Sequence, residues 1–264
     1  VALSEDSAAS PPIDSAAGQV EGRMTERLLG LVGGIGPEST LDYYRRLIDG
    51  YHERLGPDSH PPVLINSLDG GPLIAPLVAG DGGPMAAAVR RGVDQLAAAG
   101  AGLGLLGSVA GHAVFDDVAA SSPIPLLSIV QATCRGAIAG GIRRPALFGT
   151  RVSVEGAYFA RPFEAAGIEL VRPAPDDRTW IHDIYLDELV RGVVLDATRA
   201  RLLAILDGLR RDAGVDGLIL GGTELSLILP DPAYDGIPLL NAAAIHVAEA
   251  LDWLTGGEPP GPGG

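Results

Sequence analysis

Apolar residues come in short unbroken runs along this chain, not in strict alternation. The runs are Leu28–Val32, Pro62–Ile65, Leu103–Leu106, Pro125–Ile129, Pro145–Phe148, Ile168–Val171, Gly217–Leu220 and Pro238–Leu240. Continuous runs of this length predict strands buried on both faces, as in a parallel sheet. Helical stripes lie between them. Leu41, Tyr44, Leu47, Ile48, Tyr51 and Leu55 form one, and Met85, Val89, Val93 and Leu96 a second. Leu202, Leu203, Ile205, Leu206 and Leu209 form a third, with Ala244, Ala248 and Leu251 near the end. Alternating strands and helices predict an α/β fold with right-handed crossovers.

One pattern occurs twice. Residues 101–112 read AGLGLLGSVAGH and residues 214–225 read GVDGLILGGTEL. Each is a strand-like run, a small-residue loop and a helix-compatible segment, and aligning the loops pairs Ser108 with Gly222. The duplication predicts two similar Rossmann-like domains related by a pseudo-two-fold, with an active-site cleft between facing loops. Loops at the carboxyl ends of buried strands are where such folds place their chemistry. The expected division is residues 24–125 plus 236–255 for the first domain, the last strand and helix returning to it, and 126–235 for the second. Residues 1–23 and 256–264 are small, polar and rich in Gly or Pro, and are expected to be disordered tails. The first tail has neither the basic nor the apolar region of a signal peptide.

Composition narrows the function classes. No apolar run reaches the ~18–20 residues of a membrane span. The net charge of −14 comes without a basic cluster, which excludes a nucleic-acid partner. One cysteine, Cys134, rules out an internal disulfide and any multi-cysteine metal site, and fits a cytoplasmic location. All 19 basic residues are arginine. A lysine Schiff base and a Walker lysine are therefore impossible.

Gly33-Gly34-Ile35-Gly36-Pro37-Glu38-Ser39-Thr40 follows the first strand and opens a helix, with proline in the first turn. Gly34, Ile35 and Gly36 are candidates for holding a substrate carboxylate at a helix amino end, or simply form a tight turn. Gly149-Thr150-Arg151 is the second half's counterpart. Thr150 and Arg151 are candidate binding residues, and Arg151 could equally be a solvated arginine at a helix start. Glu38, Asp69 and Glu155 read as surface or capping carboxylates. His52, His60, His182 and His246 lack metal-ligand spacing, so no metal is expected.

GGIGPEST, GSVAGH, GTRVSVEGAYF, IHDIYLDELVRG, GGTE and PLLNAAAIHVAEALDWL, in this order, resemble the aspartate/glutamate racemase superfamily, and more closely its aspartate racemase branch. The resemblance runs from Leu28 to Leu254. It implies two α/β domains, each with a four-stranded parallel sheet. It also implies homodimerisation, no cofactor, and two cysteines, one per half, acting as opposed acid and base. The helix containing Tyr185-Leu186-Asp187-Glu188-Leu189 reads as scaffold.

The departures fall at the tips. The family's Cys-Asn-Thr-x-His is here Ser108-Val109-Ala110-Gly111-His112, and its Gly-Cys-Thr-Glu is Gly221-Gly222-Thr223-Glu224. SLDGGPLIAPLVAG lacks the arginine that family members often carry in that loop. A thiol titrates near pH 8.5, whereas a serine hydroxyl stays protonated without a neighbouring base. Two-thiol proton exchange is therefore excluded. Ser108, His112 and Glu224 are the catalytic candidates. His112 could activate Ser108 or be a buried structural histidine, and Glu224 could be an acid–base group or a helix cap. Gly221, Gly222 and Thr223 are candidates for stabilising an enolate or carboxylate, with Gly222 opening space. The resembling arylmalonate decarboxylases have one tip cysteine replaced by glycine and protonate an enediolate from one side. The expected function is a cofactor-independent isomerase, lyase or cyclase acting on a small carboxylic or carbonyl substrate through an enolate-like intermediate. A conventional racemase using Ser108 and a non-catalytic ligand-binding protein are the alternatives.

Overall fold

The computed structural model describes residues 27–258. The tail expected at 1–23, and residues 259–264 of the tail expected at 256–264, lie outside the described residues. The first sheet contains β1 (Leu29–Gly33), β2 (Val63–Ser67), β3 (Leu103–Leu106) and β4 (Leu126–Leu127), all parallel, in the order β2-β1-β3-β4. Its connections are α1 (Pro37–Leu55), α2 (Gly71–Val78), α3 (Gly83–Ala98), a 3₁₀ turn (Ala110–Val114) leading into α4 (Phe115–Ala119), and then α5 (Ile129–Ala139). The second half runs β5 (Pro145–Phe148), α6 (Arg151–Glu155), α7 (Ala157–Ala165), α8 (Pro175–Asp187), α9 (Asp196–Ala213), β6 (Gly217–Leu220), α10 (Leu225–Ile228), β7 (Ala233–Tyr234), β8 (Ile237–Asn241) and α11 (Ala242–Leu254). Its sheet has the order β5-β6-β8-β7.

The predicted strands form, with four differences. The run Pro125–Ile129 contributes only Leu126–Leu127, because the Ser128 side chain accepts from the Gln131 N–H and starts α5 there. Ile168–Val171 makes one parallel bridge, Ala146 to Val171, and no strand. β8 joins the second sheet, not the first, pairing with β6 through Leu218–Leu239 and Leu220–Asn241. It therefore follows β6 as β4 follows β3. Only α11 reaches back to pack on α1. Lastly, β7 is antiparallel to β8, so the second sheet is not wholly parallel. The two are joined by Asp235-Gly236, both at positive φ (45° and 79°), the geometry of a type I′ hairpin turn.

Both sheets are covered on both faces, which is why their strands read as continuous apolar runs. In β6, Leu218 and Leu220 face α8, α9 and α10, whereas Ile219 faces the central core. In β3, Leu103 and Leu105 face that same core, and Leu106 faces α3 and α4. The central core joins the halves. α5 and α11 supply Ile129, Cys134, Ala243 and Val247 to it, and α7 supplies Phe159 and Phe163. Two predicted stripes are rotated. In α1 the buried face is Thr40, Tyr43 and Leu47, and Leu41 is 61% exposed. In α11 it is Ala243, His246, Val247 and Ala250, not Ala244 and Ala248. Both helices turn these faces because each packs on the other as well as on a sheet.

Ile219 is fully buried where the halves meet. Ile219→Ala is expected to lower unfolding stability by about 2–5 kcal/mol. Urea denaturation checks this, and a loss under about 1 kcal/mol would show that this layer collapses around the cavity.

Candidate active site

β3 and β6 end at one cavity of about 180 Å³ between the two sheets. Ser108, Val109 and Ala110 line it from the first tip, and Gly222, Thr223 and Glu224 from the second. The loop after β1 brings Ile35, Gly36 and Ser39, and the loop after β5 brings Thr150. Much of the remaining wall is aliphatic, with Ile74, Leu77 and Val78 of α2 on one side and Leu186 and Val190 on another. Among the described residues, none that lines the cavity is arginine, and the chain has no lysine. A larger depression of about 490 Å³ is lined by Cys134, Gln131 and Tyr158 and contains neither tip.

Among the described residues, Glu224 is the one carboxylate in the cavity wall. It is 4% exposed and receives hydroxyl groups from three elements. Ser39 Oγ, in the first turn of α1, donates to Oε1 at 2.6 Å. Thr223 Oγ1 donates to Oε2 at 2.7 Å. The Tyr185 phenol of α8 donates to Oε2. Ser39 and Thr223 also touch each other at 2.5 Å. A buried carboxylate needs such partners, because leaving it bare in an apolar wall is costly. Gly36 accommodates it: a Cβ there would lie 2.7 Å from Glu224 Oε1. The Glu224 side chain makes no helix-capping bond.

Tyr185, read from sequence as scaffold, lines the cavity and fills the place expected to be open at Gly222. A Cβ added to Gly222 would overlap the Tyr185 ring and lie 2.7 Å from its hydroxyl oxygen. Burial, then the adjacent Glu224 charge, hold the phenol pKa well above its ordinary value. His182, three residues earlier in α8, also lines the cavity. Its Nδ1 accepts from the Arg151 N–H at 3.3 Å, which leaves the proton on Nε2. Burial, aided by the Arg151 charge, lowers its pKa, so the ring is neutral. Ser39, His182 and Tyr185 were missed from sequence. The available signal was the helical spacing of His182 and Tyr185 opposite a tip with no side chain of its own.

His112 does not activate Ser108. Its Nδ1–H donates to the Ser108 carbonyl at 2.7 Å, and its Nε2 accepts from the Ile129 N–H at 3.1 Å. The ring thus ties the first tip to the start of α5 and leaves no nitrogen for the Ser108 hydroxyl. That hydroxyl accepts from the Gly111 N–H at 3.2 Å. Burial lowers the His112 pKa to about 4 against the opposing Ser108 hydrogen bond. His246 makes a similar strut. Its Nε2–H donates to the Leu127 carbonyl at 2.9 Å, and its Nδ1 accepts from Tyr43 at 2.8 Å. Burial first, then the neighbouring His112, lower its pKa to about 3.

Arg151 is exposed and lines a different depression, so its guanidinium is not brought to the cavity. Gly34, at φ 80°, shapes the loop behind the wall: its N–H donates to Thr40 Oγ1 at 2.8 Å and its carbonyl accepts from Gly70 N–H. Gly221 likewise donates to the Phe148 carbonyl behind Gly222. The Cys134 thiol donates to the Pro162 carbonyl at 3.4 Å. Burial raises its pKa. Among the described residues, no group of three or more His, Cys, Asp or Glu could hold a metal ion, and no helix is long and apolar enough to cross a membrane.

The family model for Asp/Glu/hydantoin racemases matches residues 32–250. A Yersinia pestis structure described as a proposed Asp/Glu racemase is 29% identical over 87% of this chain and 99% of its own, with a TM-score of 0.78. An aspartate racemase homologue from Pyrococcus horikoshii is 25% identical over 87% of this chain and 99% of its own, with a TM-score of 0.74. The Picrophilus torridus aspartate racemase, 19% identical over 88% of this chain and 96% of its own, shares the fold with a TM-score of 0.70.

The buried histidines predict a pH dependence of stability. Both are neutral in the folded protein, and an unfolded histidine titrates near 6.5. Their stabilising contribution is fully present above about pH 6.5 and is lost as the pH falls toward about 4 for His112 and about 3 for His246. Within that window each adds a slope of about 1.4 kcal/mol per pH unit. His182 adds to it in the same direction. Urea unfolding at pH 6.5, 6.0, 5.5 and 5.0 is expected to show this slope, and His246→Gln is expected to flatten it. An equal slope in the variant would remove His246 from the account.

Proposed function

Because the chain belongs to the Asp/Glu/hydantoin racemase family, we propose that it is an enzyme that forms an enolate-like intermediate next to a substrate carbonyl. Family membership supports a cofactor-independent, racemase-like function of the isomerase type. The finer assignment rests above all on one observation. A single cavity joins both strand tips, and it holds one buried carboxylate, several hydroxyls, a neutral imidazole and no cation.

Each part suits enolate chemistry. Glu224 places a carboxylate, a proton acceptor of the kind that general-base catalysis uses, in the wall of the cavity. Ser108, Thr150 and the Nε2–H of His182 are donors for an oxygen that becomes negative as the α-carbon loses its proton. The aliphatic wall excludes water and takes an apolar substituent. Aspartate or glutamate would bring two carboxylates to a wall that already carries Glu224. Two like charges ~4 Å apart at an effective dielectric of about 20 repel by about 4 kcal/mol, and no lining arginine or lysine offsets this. The preferred substrate is therefore an uncharged or singly charged carbonyl compound with an apolar substituent at the reacting carbon. A conventional two-carboxylate racemase lacks both its thiols and its cation here.

The test is α-proton exchange in deuterated water, followed by NMR. The panel is 5-isopropylhydantoin, the monoester of a monosubstituted malonate, aspartate and glutamate. Exchange at the hydantoin or decarboxylation of the singly charged malonate monoester is expected, with aspartate and glutamate untouched. Interconversion of aspartate enantiomers would establish the conventional reaction instead. Tight binding of panel members without exchange of any would point to a ligand-binding protein.

A further inference from the structure

We propose that Tyr185 and Glu224 act as one proton relay that replaces the side chain absent at Gly222. This rests on the enolate chemistry proposed above and names the atoms that move the proton. Three placements carry it. The phenol oxygen lies 2.7 Å from where a Cβ of residue 222 would be, so it stands where a short reactive side chain at this tip would reach. The phenol lines the same cavity as Ser108, beside His182 and Leu186 of the same helix. Its O–H is directed to Glu224 Oε2. Glu224 is in turn oriented by Ser39 and Thr223.

The tyrosine alone cannot serve as the base. Burial and the neighbouring carboxylate hold its proton too tightly for a phenolate to form. A concerted transfer removes that obstacle. The phenol oxygen takes the substrate α-proton while its own proton passes to Glu224 Oε2. The C–H bond breaks and leaves its electron pair in the enolate. A new O–H forms on the phenol, and the old one becomes the O–H of the Glu224 carboxylic acid. One negative charge moves from Glu224 to the substrate, and tyrosine is neutral before and after. The reverse transfer returns a proton to the same face of the enolate.

The opposite tip has no counterpart. Among the described residues the Ser108 hydroxyl has no basic partner: it accepts from the Gly111 N–H, and both His112 nitrogens are occupied by backbone groups. A relay at one tip and none at the other yields exchange with retention of configuration, where two opposed bases would racemise.

The test uses the full chain and each enantiomer of 5-isopropylhydantoin in deuterated water, read by NMR and chiral chromatography. Wild-type protein is expected to exchange the α-proton of one enantiomer without inverting it. Tyr185→Phe, which keeps the ring, and Glu224→Gln, which keeps the shape, are each expected to lower kcat by about 10²–10⁴-fold with KM within a few-fold. The double variant is expected to be no slower than the slower single variant, since the two residues act as a unit. A purely structural tyrosine would instead give additive losses and altered near-ultraviolet circular dichroism. Full exchange by Tyr185→Phe would overturn the relay while leaving the enolate chemistry standing, as would inversion of the probe by wild-type protein. Failure of wild-type protein to exchange this probe, or to turn over any other panel member, would overturn both.

Discussion

A buried carboxylate that belongs to one half of the molecule is satisfied partly by the other. Glu224 follows β6, and its hydroxyl partners come from α1, α8 and its own loop. The desolvation cost of a charged group is large, so these partners are required wherever Glu224 is buried. Ser39 is therefore drawn to the second tip, and the loop carrying Ile35 and Gly36 becomes part of the wall. The two glycines nearest this network are the room it needs: Gly36 for the carboxylate and Gly222 for the phenol. A site without a single cation is thus held by hydrogen bonds that need geometry more than charge.

The seam behind the cavity follows the same logic with neutral groups. His112 and His246 satisfy both ring nitrogens, chiefly against the backbone carbonyls of Ser108 and of Leu127 in β4 and the N–H of Ile129 at the start of α5. Each is fixed in one tautomer by its partners. A histidine that looks catalytic beside a serine tip is in fact a strut, and its value lies in holding the first tip against α5. These bonds hold the first tip in place, and with it the residues it contributes to the cavity wall.

The pseudo-two-fold survives in the scaffold and is lost in the side chains at the strand tips. Val171, β5, β6 and β8 stand in the order that β2, β1, β3 and β4 occupy in the first half. The tips differ: one ends in Ser108 with its hydroxyl turned to a backbone N–H, the other in a glycine covered by Tyr185. Family members resemble one another through this scaffold, which sets where a reaction occurs. Which reaction occurs depends on the few atoms at the tips.

Sequence alone was enough for the α/β class, the duplicated strand–loop units and most strands, because continuous apolar runs arise directly from sheets covered on both faces. It was also enough to place Ser108 and Gly222 at paired tips and to exclude two-thiol proton exchange and lysine chemistry, since residue identity decides that. Local pattern did not reveal that β8 joins the second sheet, that α1 and α11 turn a different face inward, or that Asp235-Gly236 makes a hairpin. These depend on which element packs on which. Nor did it reveal that His112 faces away from the Ser108 hydroxyl, or that Tyr185 fills the space beside Gly222. A side chain 37 residues away (222 − 185) enters that space only because α8 lies across the end of β6. Vacant volume beside a glycine is a property of the packed chain, and what fills it is settled by tertiary contacts that sequence spacing does not encode.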